Sequence, residues 1–492
     1  MQTLTTAELA EIVGGHLSGD ATTTVGPEVV IDSRAVSDGS LFVALPGERV
    51  DGHTFVGTAL SAGAGAALVQ ADRVEELITA GVDGPLIGVG DVVVALGRLG
   101  RAVVDRATAA GLQVVGITGS MGKTSTKDLV RRILADHAPT VSPVNSFNNE
   151  IGVPLTATRI EAETGYLVSE MGARGVGHIA LLCDLTPPRV GVVLNVAHAH
   201  VGEFGSQDQI AVAKGELIAA LPADGMAVLN ADDSRVRAMA DRGPARVLLF
   251  ADGQRPEVPD EARYVGAVWA TDVTADGWGR HTFTLAVEID QPDGPAIDHR
   301  ASVGLTVPGR HQVINAVAAA AAAIALGVDP AQVAASLDGA GLDSHWRMEM
   351  SERADGTVII NDAYNANPEA VRAALGTVAE MARTHDRRLG VVLADMLELG
   401  EEAVEDHQVI GAMLPGLGVD WAVLLGDHAG DFASGAHRGG LTEPAVAVVQ
   451  DRQQAVQAVL MRLRPGDVVL IKGSRGMALE KVADELTRED PA

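Results

Sequence analysis

The sequence predicts an α/β protein built from parallel sheets in three successive domains, and three observations lead there. Short apolar runs alternate with helical sequence along most of the chain, the pattern of strands buried on both faces. Aromatic residues are only 3% while glycine and alanine are abundant, which favours close helix-on-sheet layers over an aromatic-rich sandwich. The 492 residues are too many for one hydrophobic core. Changes in sequence texture place the domains at 1–88, 89–340 and 341–492.

In the first section, "EVVIDS", "SLFVAL" and "AALVQA" read as short strands between turns and helices. Its opening, "MQTLTTAELAEIVGG", has neither a basic n-region nor an apolar h-region. Thr5 and Glu8 instead form a capping box, and Gly14 and Gly15 stand where the helix should end. The middle section begins with the apolar strand "VVGIT", a glycine loop and the amphipathic helix "STKDLVRRILADH". Further strands are expected in "GYLVSEMG" and "RVGVVLNVAHAH". Polar, proline-containing sequence around 252–300 reads as an antiparallel insertion or as long loops. The Ala-rich "AVAAAAAAIALG" is too short to span a bilayer and reads as a buried helix that permits close backbone approach. The third section repeats strand-then-helix four times, in "TVIINDAYNANP", "LGVVLADMLELG", "WAVLLGDHAG" and "DVVLIKGSRG". Ligands of such sheets collect at the carboxyl ends of strands, so the polar residues after each apolar run carry the functional interest.

Charge and cysteine content narrow the function classes. The formal charge is −28, which argues against a nucleic-acid partner, whose phosphates need a basic face. An acidic protein that handles an anionic substrate must place its few cations locally. The single cysteine, Cys183, cannot form an intrachain disulfide and fits a reducing compartment. A cytoplasmic protein with no membrane insertion is expected.

The stretch "GITGSMGKTSTK" carries the strongest chemical signal. It follows a strand and opens a helix, so Gly119 and Gly122 let backbone N–H groups turn around a phosphate at a helix N-terminus. Ser120 and Ser125 belong to the same cradle. Lys123 reaches toward β- and γ-phosphates, and the Thr124 hydroxyl suits a Mg²⁺ ligand position. The usual pattern leaves four residues between the first glycine and Gly-Lys, which would put that glycine at Ile117; here the spare glycine is Gly119. No guanine-reading Asn-Lys-x-Asp occurs in the chain. Glu170 ends one strand candidate and His200 closely follows another, so a carboxylate and an imidazole could meet metal beside Thr124. Each taken singly also reads as an ordinary structural residue, as does Lys214 in the helix "QIAVAKGELIAAL".

Taken together, "TGSMGKTS", "SEMGA", "AHAHVGEFGS", "AKGEL", "PGRHQVINAVAAAA" and "NDAYNANP" resemble the Mur ligases of bacterial cell-wall synthesis, in order and over nearly the whole chain. The resemblance implies a small UDP-binding domain, a central P-loop ATPase domain and a C-terminal Rossmann-like domain. "SFNNEIGVPLT" and "YNANP" point to the activity that joins D-alanyl-D-alanine to UDP-N-acetylmuramoyl-tripeptide with ATP, in a monomer. On that resemblance Lys123 would bind the terminal phosphates and Thr124 one Mg²⁺, while Glu170 and His200 would hold a second. Lys214 would carry a CO₂-derived carbamate that helps position this second ion. Asn315 would read adenine, and Arg347 and Asp362 would reach the γ-phosphate and ribose. Ser33, Arg34, Asp51 and His53 would lie near the UDP diphosphate, with Asn148, Asn149, Tyr364 and Asn365 binding the rest of the substrate. Lys472 to Arg475 are suggested for the dipeptide. Three departures stand out: Gln312 in "GRHQ" where the family has Asn, "HWR" before the third domain, and Asn361-Asp362 for a frequent Asp-Asp. Other ligases of the family, such as the third-residue-adding or folylpolyglutamate-type enzymes, share parts of this pattern. A P-loop ATPase that moves a partner would leave the N-terminal "DSRAVSDGSLFVALPGERVDGHTF", which resembles the family's UDP-binding domain, and "YNANP" unexplained.

Overall fold

The computed structural model describes residues 1–47, 50–197, 206–290 and 295–488. Its strands fall into three large sheets and one two-stranded ribbon. The first is five-stranded: the parallel strands Val29–Val30, Leu41–Val43, Ala66–Gln70 and Leu86–Val89, with His16–Ser18 antiparallel at one edge. The capping box at Thr5 and Glu8 forms as expected, and Gly14 ends the helix Thr6–Val13 in the left-handed conformation.

The central sheet has nine strands. Gln113–Thr118, which leads into the glycine loop, lies between Tyr166–Glu170 and Val190–Val193. Met226–Asn230, Arg246–Asp252 and Tyr264–Ala275 continue the sheet in parallel. Beyond them Arg280–Ile289 and Ile297–Pro308 run antiparallel, so the 252–300 region is mostly an antiparallel extension of the sheet. The tip of that extension reaches the third domain: the Trp278 indole stacks on His385 with ring centroids 4.0 Å apart.

The Ala-rich sequence forms the helix His311–Ala325, with Ala316 to Ala323 fully buried. Its small side chains let it lie directly against the helix Lys123–Ala135 that follows the glycine loop. The third sheet carries Val358–Asn361, Val468–Lys472, Leu389–Ala394, Val419–Leu425 and Val446–Val449 in parallel, with Glu349–Glu352 antiparallel at the edge. Among the described residues no helix is long and apolar enough to cross a membrane.

The segment entering the third domain is bolted to the helix after the glycine loop. Ser344 donates its backbone N–H to Asp128 (2.9 Å), and its hydroxyl lies 3.3 Å from Lys127 Nζ. Lys127 also donates to the carbonyls of Pro143 and Asn145, both at 3.2 Å. Lys127 and Asp128 are buried 2.6 Å apart, and Arg131 pairs with Asp343 at the rim. Removing one member of a buried pair leaves the other desolvated without compensation. Lys127→Met is therefore expected to lower stability by about 3 kcal/mol, read as a fall in the denaturant midpoint. An unchanged midpoint would show that the pair contributes nothing net.

Candidate active site

The glycine loop turns around a point at the carboxyl edge of the central sheet. Ile117, where the usual spacing would put a glycine, is still inside the strand and pairs with Glu170. The turn falls to Gly119 and Gly122. A Cβ on Gly119 would come within 2.8 Å of Leu194, and one on Gly122 within 2.4 Å of Asn315 Oδ1. Gly122 also has φ of 82°, which favours glycine. Asn195 pins the loop from the neighbouring strand: its Oδ1 accepts from Met121 N–H at 2.9 Å, and its backbone carbonyl accepts from Ser120 N–H at 3.1 Å. The Ser120 hydroxyl accepts from Ala197 N–H at 3.0 Å.

Glu170 sits beside Thr124 at the head of the following helix, with no exposed surface. Its Oε1 lies 3.1 Å from the Thr124 hydroxyl and accepts from Asn148 Nδ2 at 2.9 Å and from the Ser146 hydroxyl. Its Oε2 has no partner, although buried carboxylate oxygens are normally satisfied. A carboxylate with a spare buried oxygen beside a phosphate-loop threonine fits Mg²⁺, which takes one or two protein oxygens and completes its shell with phosphates and water. No cluster of three His, Cys, Asp or Glu side chains suited to a metal exists among the described residues. His200, the expected imidazole ligand, lies outside them.

Two lysines share this corner. Lys123 folds back to donate to the Gly119 carbonyl at 2.8 Å. Burial holds its ammonium below the usual range, opposed by Glu170 and reinforced by Arg347. Lys214 is buried on the helix Gln207–Ala219. Burial, and next the Lys123 charge, push its pKa well below that of an ordinary lysine. A lowered pKa raises the share of neutral amine, the form that adds to CO₂ with release of a proton, so this residue fits a carbamate.

The third domain completes the site. Arg347 donates from Nη2 to the Thr124 hydroxyl at 2.7 Å, while its guanidinium lies 4.1 Å above the Tyr364 ring. Trp346 and Met348 on either side have φ of 62° and 52°, left-handed values that side chains other than glycine adopt at a cost. Asp362 accepts from Lys472 Nζ at 2.6 Å and from Met348 N–H at 3.1 Å. Lys472 also donates to the Asn365 carbonyl at 3.0 Å, so it secures the "YNANP" turn. Arg475 lies over Trp346 at 4.3 Å and pairs with Glu480.

These groups line one cleft of about 1040 Å³, which also takes in Asn148, Asn149, Lys214, Asn315, Tyr364 and Asn365. Asn315 donates to Gln312 Oε1 at 3.0 Å, and Gln312 in turn lies 3.1 Å from His311 Nε2. The departure from the family's Asn at 312 thus gives a side chain that Asn315 uses directly. Of the N-terminal candidates, Ser33, Arg34, Asp51 and His53 do not line the cleft, although Ile31 does. Arg34 is 88% exposed and paired with Asp32. His53 has both ring nitrogens engaged, Nδ1 with Asp51 at 2.7 Å and Nε2 with Gln70 N–H at 3.0 Å. Sequence reasoning missed Ser146, Asn195 and Lys127. The polar residue directly after an apolar strand was the available signal for Asn195.

Three family models match in order: "Mur ligase family, catalytic domain" over residues 28–115, "Mur ligase middle domain" over 117–323, and "Mur ligase, glutamate ligase domain" over 346–475. The chain is 42% identical to the UDP-N-acetylmuramoyl-tripeptide–D-alanyl-D-alanine ligase of Mycobacterium bovis, covering 99% of this chain and 98% of that one. Its fold is similar to the UDP-N-acetylmuramoylalanyl-D-glutamyl-2,6-diaminopimelate–D-alanyl-D-alanyl ligase of Acinetobacter baumannii, with TM-score 0.80, 28% identity and 99% of both chains covered. It is also similar to the MurF ligase of Thermotoga maritima in complex with ADP, with TM-score 0.70, 27% identity, and 93% and 96% of the two chains covered.

Proposed function

This chain belongs to the Mur ligase family, and from that premise we propose that it joins D-alanyl-D-alanine to UDP-N-acetylmuramoyl-tripeptide in an ATP-driven amide ligation. The observation that carries the reading is the meeting of Thr124, buried Glu170 and third-domain Arg347 in one cleft, beside Lys123 and Lys214. A motor-type ATPase has no evident use for that set, whereas a carboxylate that must be phosphorylated does.

A carboxylate is a poor acylating agent. Its oxygen attacks the γ-phosphorus of ATP, ADP leaves, and the acyl phosphate so formed has phosphate as a leaving group. The dipeptide amine then adds to the carbonyl carbon, a tetrahedral intermediate collapses, phosphate departs and the amine loses a proton. The electrostatic difficulty lies in the first step. Each like-charge pair near 4 Å costs about 4 kcal/mol at an effective dielectric of 20. Lys123 and Arg347 offset this, one carried at the end of the loop and one by the third domain. Thr124 and Glu170 are the residues that would hold Mg²⁺, with His200 assigned to the same set and a carbamate on Lys214 supporting it. When bound, the metal supplies neutralisation of phosphate charge. Closure of the domains over the cleft would keep water from the acyl phosphate. Asn315 and Asp362 are assigned to the nucleotide, and Asn148, Asn149, Tyr364 and Asn365 to the peptide substrate. Ser33, Arg34, Asp51 and His53 keep their assignment to the UDP end, the domain boundaries stay at 88/89 and 340/341, and the working unit is a cytoplasmic monomer.

ADP formation is measured with ATP, Mg²⁺ and UDP-N-acetylmuramoyl-tripeptide, with and without D-alanyl-D-alanine, and products are weighed by mass spectrometry. ADP matched by UDP-N-acetylmuramoyl-pentapeptide, only with the dipeptide present, is the expected result. ADP released regardless of acceptor, with no new amide, would replace the ligase reading with an ATPase.

A further inference from the structure

Most cations lining the cleft are committed within the protein. Lys123 donates to its own loop, Arg347 to Thr124, Lys472 to Asp362, and Arg475 pairs with Glu480. Arg174 lines the same cleft and is exposed, yet among the described residues its guanidinium has no acidic or hydrogen-bonding partner. Its backbone N–H donates to His178 Nδ1 at 3.2 Å, which holds the turn and leaves the side chain to the cleft.

The same cleft holds an acid in the same condition. Gly172 N–H donates to the Asn148 carbonyl at 2.8 Å, and a Cβ on Gly172 would meet the Asn148 side chain at 2.8 Å. The two turns therefore run side by side, with Arg174 and Glu150 each two residues beyond the joined pair. Glu150 also lines the cleft and has no cationic partner among the described residues. The half-exposed apolar side chains of Phe147 and Leu181 lie along the same walls. Arg174 is four residues from Glu170, so their Cα atoms are at most about 14 Å apart.

From this arrangement, and resting on the ligase reading above, we infer that Arg174 and Glu150 hold the free amino-acid end of a diaminopimelate in third position of the tripeptide. Arg174 thereby selects diaminopimelate over lysine. The chemistry distinguishes the two substrates at one group. Diaminopimelate has an amino-acid function at each end. One is consumed by the peptide chain and the new amide, and the other presents a free ammonium and a free carboxylate. Lysine presents the ammonium alone. A guanidinium accepts the carboxylate through paired N–H donors, and a glutamate takes the ammonium that both substrates share. Phe147 and Leu181 cover the methylene stem.

The test measures kcat/KM for two UDP-N-acetylmuramoyl-tripeptides, one ending in diaminopimelate and one in lysine. The wild type is expected to prefer diaminopimelate, and Arg174→Gln to lower that preference about tenfold, the loss of one exposed charge-assisted contact. Arg174→Lys, which keeps the charge without the fork, falls between them. Glu150→Gln lowers kcat/KM for both substrates and leaves their ratio unchanged. Because the readout is a ratio within one preparation, a partly folded variant does not alter it. A ratio unchanged by Arg174→Gln would overturn the inference, as would a wild-type preference for lysine. A rise confined to the KM for D-alanyl-D-alanine would assign Arg174 to the dipeptide carboxylate and overturn it equally. Absence of ligation by the wild type with either tripeptide would instead overturn the ligase reading and this inference with it.

Discussion

Arg347→Ala is expected to slow phosphoryl transfer about 10³-fold, the scale of losing an arginine that meets transition-state charge, while binding of the UDP substrate stays nearly intact. The expectation rests on where the guanidinium stands. It reaches from the third domain to the hydroxyl of Thr124 at 2.7 Å and lies 4.1 Å above the centre of the Tyr364 ring. That pairing orients the planar donor set toward the loop that grips the phosphates. Charge on the transferring phosphoryl group develops on oxygens beside this loop, so the loss falls on kcat. Arg347→Lys should recover part of the rate only, since an ammonium neither stacks nor forks in the same way. Quench-flow detection of acyl phosphate separates this step from the rest. A variant that makes acyl phosphate at the normal rate would remove Arg347 from it.

Lys214→Ala is expected to cost about 100-fold in activity, the upper end of the scale seen when a group supporting a metal ligand set is removed, with partial recovery on adding a short carboxylic acid. An ordinary ammonium at this position would only add to the positive charge of Lys123. Burial and that neighbouring charge favour the neutral amine instead, and a carbamate turns it into an anionic oxygen pair. A small carboxylate entering the space vacated by the side chain supplies the same two oxygens. Growth of a carbamate signal in ¹³C NMR on supplying ¹³CO₂, absent in the variant, gives a readout independent of activity. Full activity in the plain variant would end the carbamate assignment.

The parts legible in the sequence are those with local causes. A capping box needs Thr5 and Glu8 three residues apart, and it forms. The glycine loop needs a strand before it and a helix after it, and both are present although Ile117 occupies the place of the usual glycine. Glu170 is visible because an apolar run ends on it. What the sequence concealed depends on distant chain. Nothing local sets Lys127 apart from other helix lysines, yet it is buried and hydrogen-bonded to Ser344, 217 residues away. Ser146 carries no periodicity or motif that joins it to Glu170, because only the fold of its turn does so. The antiparallel strands Arg280–Ile289 and Ile297–Pro308 are ambiguous in the sequence because each keeps one wet face. Their alternation is diluted by turns and prolines.

Ser344 and Arg347 are three residues apart, and this short interval limits how the molecule can breathe. Ser344 is tied to Asp128 on the helix that follows the phosphate loop, while Arg347 is tied to Thr124 in that helix's first turn. Three residues span at most about 11 Å even fully stretched. While the first knot holds, the third domain can swing about its tether but cannot drift away from it. With that knot intact Arg347 cannot move farther than about 11 Å from Ser344, so any return to Thr124 is a return along a short arc rather than a new search.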